Sequence, residues 1–481
     1  MVWKWLGGLA LLGLLSHGSI AQAAICEADL DARVEAILAE ESALQRARLG
    51  VRVETLGDRR LVYGRDDQHF FVPASNMKLF TTAAALQALG PDFRMRTVVQ
   101  GTTSEFGLTT LRVVGRGDPS FSDWQLADLA EQLKRQGIQQ VSELIGDDTY
   151  FSGSAVNQNW EWEDVQAGYG APVNSLILNR NEIGMTFYPQ AAGQPVRLEW
   201  DDPAIAGDWQ VVNNSTTLAS GEPGYVYVGR DLSRPILYVR GSLVAGGSSD
   251  TAAIAIPDPA NYFLQRFQLE LAEVGISVNR TRVSPQPNAS PLPELAAVDS
   301  PALAQLMEAI NRDSENIYAE AVLKTLGIHQ AQTRPREASQ AGTAAVKRIL
   351  QELGVDPESY VQVDGSGLSR HNLTTPTALV SVLQAMDQTP NAAAYRNSLS
   401  QAGVNGTLRN SFRNSAIEEQ LWGKSGWLSR NAALSGYVDP PNYPPLVFSI
   451  LLNNADTRSS VIGRAMDDVV LLLADLHVCG D

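Results

Sequence analysis

Residues 71–80 read Phe71-Val72-Pro73-Ala74-Ser75-Asn76-Met77-Lys78-Leu79-Phe80, and an Ala/Leu-rich run continues to Leu89. Gly90-Pro91 ends the predicted helix, a permissive C-cap followed by a residue that cannot continue it. Ser75 and Lys78 stand three apart at its start, so their side chains share a face. A lysine amine kept neutral by burial or by a neighbouring cation can take the serine proton. The helix N-terminus offers its N–H groups to a developing oxyanion. The ordinary alternative is a capping serine followed by a solvated lysine. A cation in a first helical turn is unfavourable by about 0.3–1 kcal/mol, so that alternative accounts for the serine and not for the lysine. The chain has six lysines, and this is its only S-x-x-K.

Upstream, Val51 to Leu56 and Arg60 to Tyr63 read as strands joined at Gly57-Asp58, which suits a hairpin. Before them, Val34, Ile37, Leu38 and Leu44 have helical spacing, predicting a helix from Asp31 to Leu49 ended by Gly50. The chain begins with Lys4, an apolar run from Leu6 to Leu15 and Ala21-Gln22-Ala23. That run is too short to span a bilayer and reads as a cleaved secretory signal over residues 1–23, with an uncleaved amphipathic anchor as the rival. Ile25 stands before Cys26 where a lipoprotein signal needs a small residue.

Downstream, residues 97–287 change texture. Leu111 to Gly115, Val141 to Ile145, Val196 to Trp200, Tyr225 to Val228 and Ile236 to Val244 read as strands, with helices near Trp124 to Gln136 and Tyr262 to Val274. This is a mostly β insertion with divisions near Gly184 and Gly246. Helical texture returns after Pro287: Ser300-Pro301 opens one helix and Gly327 closes another. Three strands, Trp422 to Trp427, Ala432 to Val438 and Leu446 to Leu452, precede a helix from Ser460 to His477. Helix and hairpin before the insertion, with helices and strands after it, predict one α/β domain whose sheet comes from both ends of the chain.

Two further motifs follow in this second half. Ser314-Glu315-Asn316 lies between helical segments and Lys424-Ser425-Gly426 lies in a strand. Separately they are a helix cap and an edge strand; in the order S-x-x-K, S-x-N, K-[ST]-G they are the pattern of penicillin-recognising serine acyl-transferases. No histidine accompanies a G-x-S-x-G elbow, which weakens a Ser-His-Asp reading. The only cysteines are Cys26 and Cys479. They make neither C-x-x-C nor a Cys/His cluster, so zinc and dithiol chemistry lack support. In an oxidising compartment they are a disulfide or two unpaired thiols.

On these motifs the sequence resembles the D-alanyl-D-alanine carboxypeptidase/endopeptidase family of class C low-molecular-mass penicillin-binding proteins. Gly117-Asp118-Pro119-Ser120-Phe121, Asp147-Asp148-Thr149-Tyr150-Phe151, Tyr169-Gly170-Ala171-Pro172-Val173, Asn179-Arg180-Asn181 and Asp364-Gly365-Ser366-Gly367-Leu368-Ser369-Arg370 extend the match over nearly the whole mature chain. Serine at 425 replaces the commoner threonine and keeps the hydroxyl. The resemblance implies an α/β (α+β) penicillin-recognising serine transpeptidase/β-lactamase-like domain with the insertion between its first two motifs. The expected division is residues 24–95 with 290–481 for the catalytic domain, 96–183 with 246–289 for insertion domain II, and 184–245 for a β-rich insertion domain III.

The resemblance also implies roles. Ser75 is the acylated nucleophile and Lys78 its base. Ser314 and Asn316 complete the proton network, and Lys424 and Ser425 hold the substrate's terminal carboxylate. The backbone N–H groups of Ser75 and Trp427 form the oxyanion hole, and Gly426 belongs to the substrate-binding residues. Asp148 matches a pocket for a substrate side-chain amine, with a solvated aspartate as the alternative, and the glycines after Asp364 form a tight turn. In this fold the first and last helices pack side by side, which would bring Cys26 and Cys479 together as a disulfide. The implied activity is cleavage of the D-Ala-D-Ala bond, or of the cross-bridge, in peptidoglycan stem peptides in the periplasm. It needs no cofactor or metal, and β-lactams act as covalent inhibitors. A β-lactamase and a catalytically silent peptidoglycan-binding protein are the rivals. The charge balance, 37 Lys+Arg against 53 Asp+Glu for a net −16, argues against nucleic-acid partners.

Overall fold

The computed structural model describes residues 25–103, 109–221, 224–287 and 292–479. The expected leader, residues 1–23, lies outside them. Its central feature is a six-stranded antiparallel sheet in the order Ser400–Gln401, Leu421–Leu428, Asn431–Val438, Leu446–Asn453, Arg48–Thr55, Leu61–Arg65. Both ends of the chain therefore build one sheet, with Val53 opposite Phe448. Asn431–Val438 and Leu446–Asn453 are buried at every residue, because the sheet is covered on both faces. Alternate side chains serve opposite layers. Ala433, Tyr437, Val447 and Leu451 join a core with the helices Lys78–Leu89, Asn316–Gln330 and Pro376–Asp387. Leu434, Phe448, Ile450 and Leu452 join another with the first helix, Leu30–Glu40, and the last, Ser459–Ala474.

Two sequence expectations are corrected here. The first helix stops at Glu40 rather than Leu49, since Leu49, Val51 and Val53 are buried in the strand Arg48–Thr55, paired with Leu446–Asn453. Alternation at the end of the segment overrides its helical start. Gly327 does not close a helix but lies inside Asn316–Gln330. A Cβ at 327 would sit 2.3 Å from the carbonyl oxygen of Ala338, so glycine allows the helix Ala338–Glu352 to pack against its backbone.

Next to the first and last helices, Cys26 is bonded to Cys479, with Cα atoms 5.8 Å apart. Ile25 N donates to Asp475 O and His477 N to Ile25 O, each at 3.0 Å, so the ends are also joined by backbone pairing.

The insertion carries its own sheet, in which Gln140–Asp147, Thr109–Val114 and Arg96–Thr103 lead to Glu294–Asp299. The helices Asp123–Arg135 and Pro259–Glu273 pack on it, the first started by a Ser122/Gln125 capping box. Two smaller sheets lie further along the insertion. One contains Asp250–Ala255, Glu182–Tyr188 and Arg197–Trp200; the other pairs Val226–Arg230 with Ile236–Val244. Glu294–Asp299, past the expected division at 290, pairs with Arg96–Thr103, and Glu182–Tyr188 pairs with Asp250–Ala255 across the expected divisions at 184 and 246.

Candidate active site

Ser75 lies in the short turn Ala74–Met77 that runs into the helix Lys78–Leu89. This helix is buried along most of its length, and Lys78 with it. Out of water, Lys78 Nζ donates to Ser75 Oγ (3.0 Å), Asn316 Oδ1 (2.6 Å) and Ser366 O (2.7 Å). Burial pulls its pKa down to about 7, against the opposing charges of Asp364, Glu320 and Glu315. A neutral amine beside a serine hydroxyl is the arrangement a general base requires.

The second arm comes from the sheet. Lys424, on Leu421–Leu428, is also fully buried and donates from Nζ to Ser314 Oγ (2.9 Å) and Ser425 O (2.7 Å). Burial first, then the charge of Lys78, pushes Lys424 well below the usual lysine range, with Asp313 opposing. The two lysines thus disfavour each other's protonation. Ser314 is held at φ +68° and Ala74 at φ +49°, a backbone region that side chains rarely adopt. Ser425 Oγ donates to Thr407 Oγ1 at 2.7 Å. A Cβ at Gly426 would lie 2.8 Å from Ser75 N, so this glycine lets the strand approach the nucleophile's backbone.

Ser75, Tyr169, Ser314, Asn316 and Trp427 line one cleft of about 540 Å³. The first two motifs line it with Ser75, Ser314 and Asn316, and the third is joined to them through Lys424 Nζ and Ser314 Oγ. Asp148 does not line it: its Oδ1 accepts from Asn174 Nδ2 (2.9 Å), Ser175 N (2.7 Å) and Leu176 N (2.9 Å), which commits it to holding its own loop. The acidic wall of the cleft is instead Glu161, Glu163 and Asp164, with Arg370 Nε 2.8 Å from Glu161 Oε1. Sequence reasoning missed these residues. The signal was the run Trp160-Glu161-Trp162-Glu163-Asp164, unusually rich in acids and indoles for a turn segment.

Two supporting groups were also missed. Glu320 is buried one helical turn beyond Asn316, and its Oε1 accepts from Gly365 N and Ser366 N, both at 2.8 Å. It thereby holds Ser366, whose carbonyl oxygen accepts from Lys78 Nζ. Burial, then the neighbouring Asp364, raises its pKa to about 7. One turn further, Lys324 Nζ donates to Ser154 O (2.9 Å) and Val173 O (2.6 Å), tying the insertion to the same helix. Asp364 accepts from Trp160 Nε1 (3.0 Å), Gly367 N (2.8 Å), Ser369 N (2.7 Å) and Asn372 Nδ2 (2.8 Å), the expected tight turn. Among the described residues no His, Cys, Asp or Glu group could hold a metal ion, and no helix is long and apolar enough to cross a membrane.

The profile of the D-Ala-D-Ala carboxypeptidase 3 (S13) family matches residues 30–476. The chain belongs to that family. It is 33% identical to the D-alanyl-D-alanine carboxypeptidase of an Actinomadura species over 87% of this chain and 80% of that protein. It is 26% identical to the D-alanyl-D-alanine carboxypeptidase DacB of Haemophilus influenzae over 85% of this chain and 86% of that one. The crystal structure of penicillin binding protein 4 from Haemophilus influenzae shares the fold, with a TM-score of 0.78 over 94% of this chain and 99% of that one at 23% identity. This S13 member is a serine peptidase with the penicillin-recognising fold.

Proposed function

We propose that this S13 enzyme hydrolyses the D-Ala-D-Ala bond of peptidoglycan stem peptides in the periplasm, through an acyl-enzyme on Ser75. The observation that carries this reading is the buried, neutral-leaning Lys78 amine 3.0 Å from Ser75 Oγ, facing the Lys424–Ser314 pair across the cleft. Lys78 Nζ takes the Ser75 proton as Oγ bonds to the carbonyl carbon of the penultimate D-alanine. The oxyanion is met by backbone N–H groups at Ser75 and Trp427, an approach that Gly426 leaves open. The proton taken by Lys78 passes by way of Ser314 Oγ to the leaving amine as the C–N bond breaks, which returns Lys78 to its neutral form. Water then attacks the ester, Lys78 Nζ taking its proton and returning it to Ser75 Oγ as the acyl C–O bond breaks.

Lys424 and Ser425 hold the terminal carboxylate. An arriving anion offsets the burial that lowers Lys424, so carboxylate binding and protonation of this lysine support one another. Glu161, Glu163 and Asp164 replace Asp148 as the acids that would meet a cationic amine on the stem peptide. We assign the catalytic lobe to residues 25–95 and 300–479, and the insertion to 96–299. The test is release of D-alanine from a peptide ending in D-Ala-D-Ala. Ser75→Ala should lower it by about a thousandfold or more while leaving the fold intact. Equal turnover by wild type and variant would overturn the assignment.

A further inference from the structure

The insertion opens a second cavity beside the cleft. In the antiparallel pair Val226–Arg230 and Ile236–Val244, Tyr227 stands opposite Arg240 and Gly229 opposite Tyr238. Cross-strand partners and residues two apart share a face. Tyr227, Tyr238 and Arg240 therefore stand on one side, while Gly229 adds no side chain and leaves the floor between them open. The space above is about 600 Å³, within the roughly 300–1,000 Å³ of small-ligand sites.

Trp162 closes the cavity and is 64% exposed; Tyr227 is 57% exposed. Large rings left this far in water, around an open floor, suit a ligand with flat apolar faces and polar edges. A pyranose ring is such a ligand: its axial C–H groups pack on aromatic faces, and its hydroxyl and acetamido oxygens take hydrogen bonds from the rim. The rim supplies donors. Neither Arg230 nor Arg240 has a carboxylate partner among the described residues, and Arg230 Nε is buried without a hydrogen-bond partner.

The position of the cavity selects the sugar. A single segment separates it from the peptide cleft: Trp162 and Gln166 face the cavity, while Glu161, Glu163 and Asp164 line the cleft. Gln166 fastens this wall to the strand, since its Nε2 donates to Trp162 O (3.1 Å) and its Oε1 accepts from Arg230 N (3.2 Å). A stem peptide in the cleft is covalently joined to an N-acetylated sugar, so its glycan continues toward a neighbouring surface. The net charge of −16 and the acidic wall disfavour an anionic polymer there.

We propose that this groove is a glycan subsite that binds the uncharged, N-acetylated amino-sugar strand bearing the stem peptide. The inference rests on the peptidase reading above. It is tested with the full-length mature enzyme and one stem peptide ending in D-Ala-D-Ala, presented free or on its N-acetylated disaccharide. Wild type should show kcat/KM about tenfold higher for the disaccharide form, the scale of one or two aromatic contacts. Tyr227→Ala should erase that ratio while leaving free-peptide turnover and penicillin acylation unchanged. If acylation falls in that variant, Arg240→Ala takes its place, with the ratio expected to drop at least threefold. Equal kcat/KM for the two forms in wild type, or a ratio that survives the substitutions, overturns the subsite, as does a gain seen only with an anionic wall polymer. Failure to hydrolyse the free peptide would instead overturn the peptidase reading.

Discussion

Lys78 is a base only while it is uncharged, and burial brings that state into reach near neutral pH. Below about pH 7 its amine is protonated and cannot accept from Ser75; above it the amine is free. The rate of penicillin acylation should therefore climb through a midpoint near pH 7 and then level. A midpoint near the ordinary lysine value, or no pH dependence, would contradict this role. Lys424 does different work. Lys424→Ala should impair turnover of a peptide with a free C-terminus by about tenfold or more and leave a C-terminally amidated peptide much less affected. If wild type and variant discriminate acid from amide equally, the carboxylate role is wrong.

The helix Asn316–Gln330 links these residues to the rest of the fold. Asn316, Glu320 and Lys324 stand four apart on one face, touching in turn the Lys78 amine, the turn at Gly365-Ser366 and the insertion loop. Glu320→Gln preserves an acceptor for that turn and removes a charge that favours protonated Lys78. The acylation midpoint should accordingly move to lower pH, with folding intact; an unmoved midpoint would show that Glu320 acts only as a brace. Asn316 was legible from its motif, but Glu320 and Lys324 were not, because a buried Glu and Lys in a helix look like solvated residues until the partners from distant segments arrive. The S-x-x-K and S-x-N residues were legible because each sits at a helix start fixed by local signals, and K-S-G because it lies within a strand, Leu421–Leu428, readable from its own pattern. The acids at 161–164 and the displaced role of Asp148 were not, since loop carboxylates are told apart only by which backbone N–H groups surround them.

At the scale of the molecule, the split sheet could be read from strands at both ends, and it explains why the termini meet. Domain boundaries were less legible, because Glu294–Asp299 joins the insertion through a partner some 200 residues earlier. The Cys26–Cys479 bridge closes almost the whole chain, for which loop entropy allows about 6 kcal/mol. Backbone pairing of Ile25 with Asp475 and His477 already gathers the ends, so the gain should be smaller. Urea unfolding with and without reductant should show a lower midpoint on reduction, with penicillin labelling retained under native conditions; an unchanged midpoint would show that the bridge adds nothing. The central claim is more directly tested by intact-mass measurement after incubation with penicillin. Wild type should gain the mass of one penicillin molecule and Ser75→Ala none; an adduct that persists in Ser75→Ala would contradict the account.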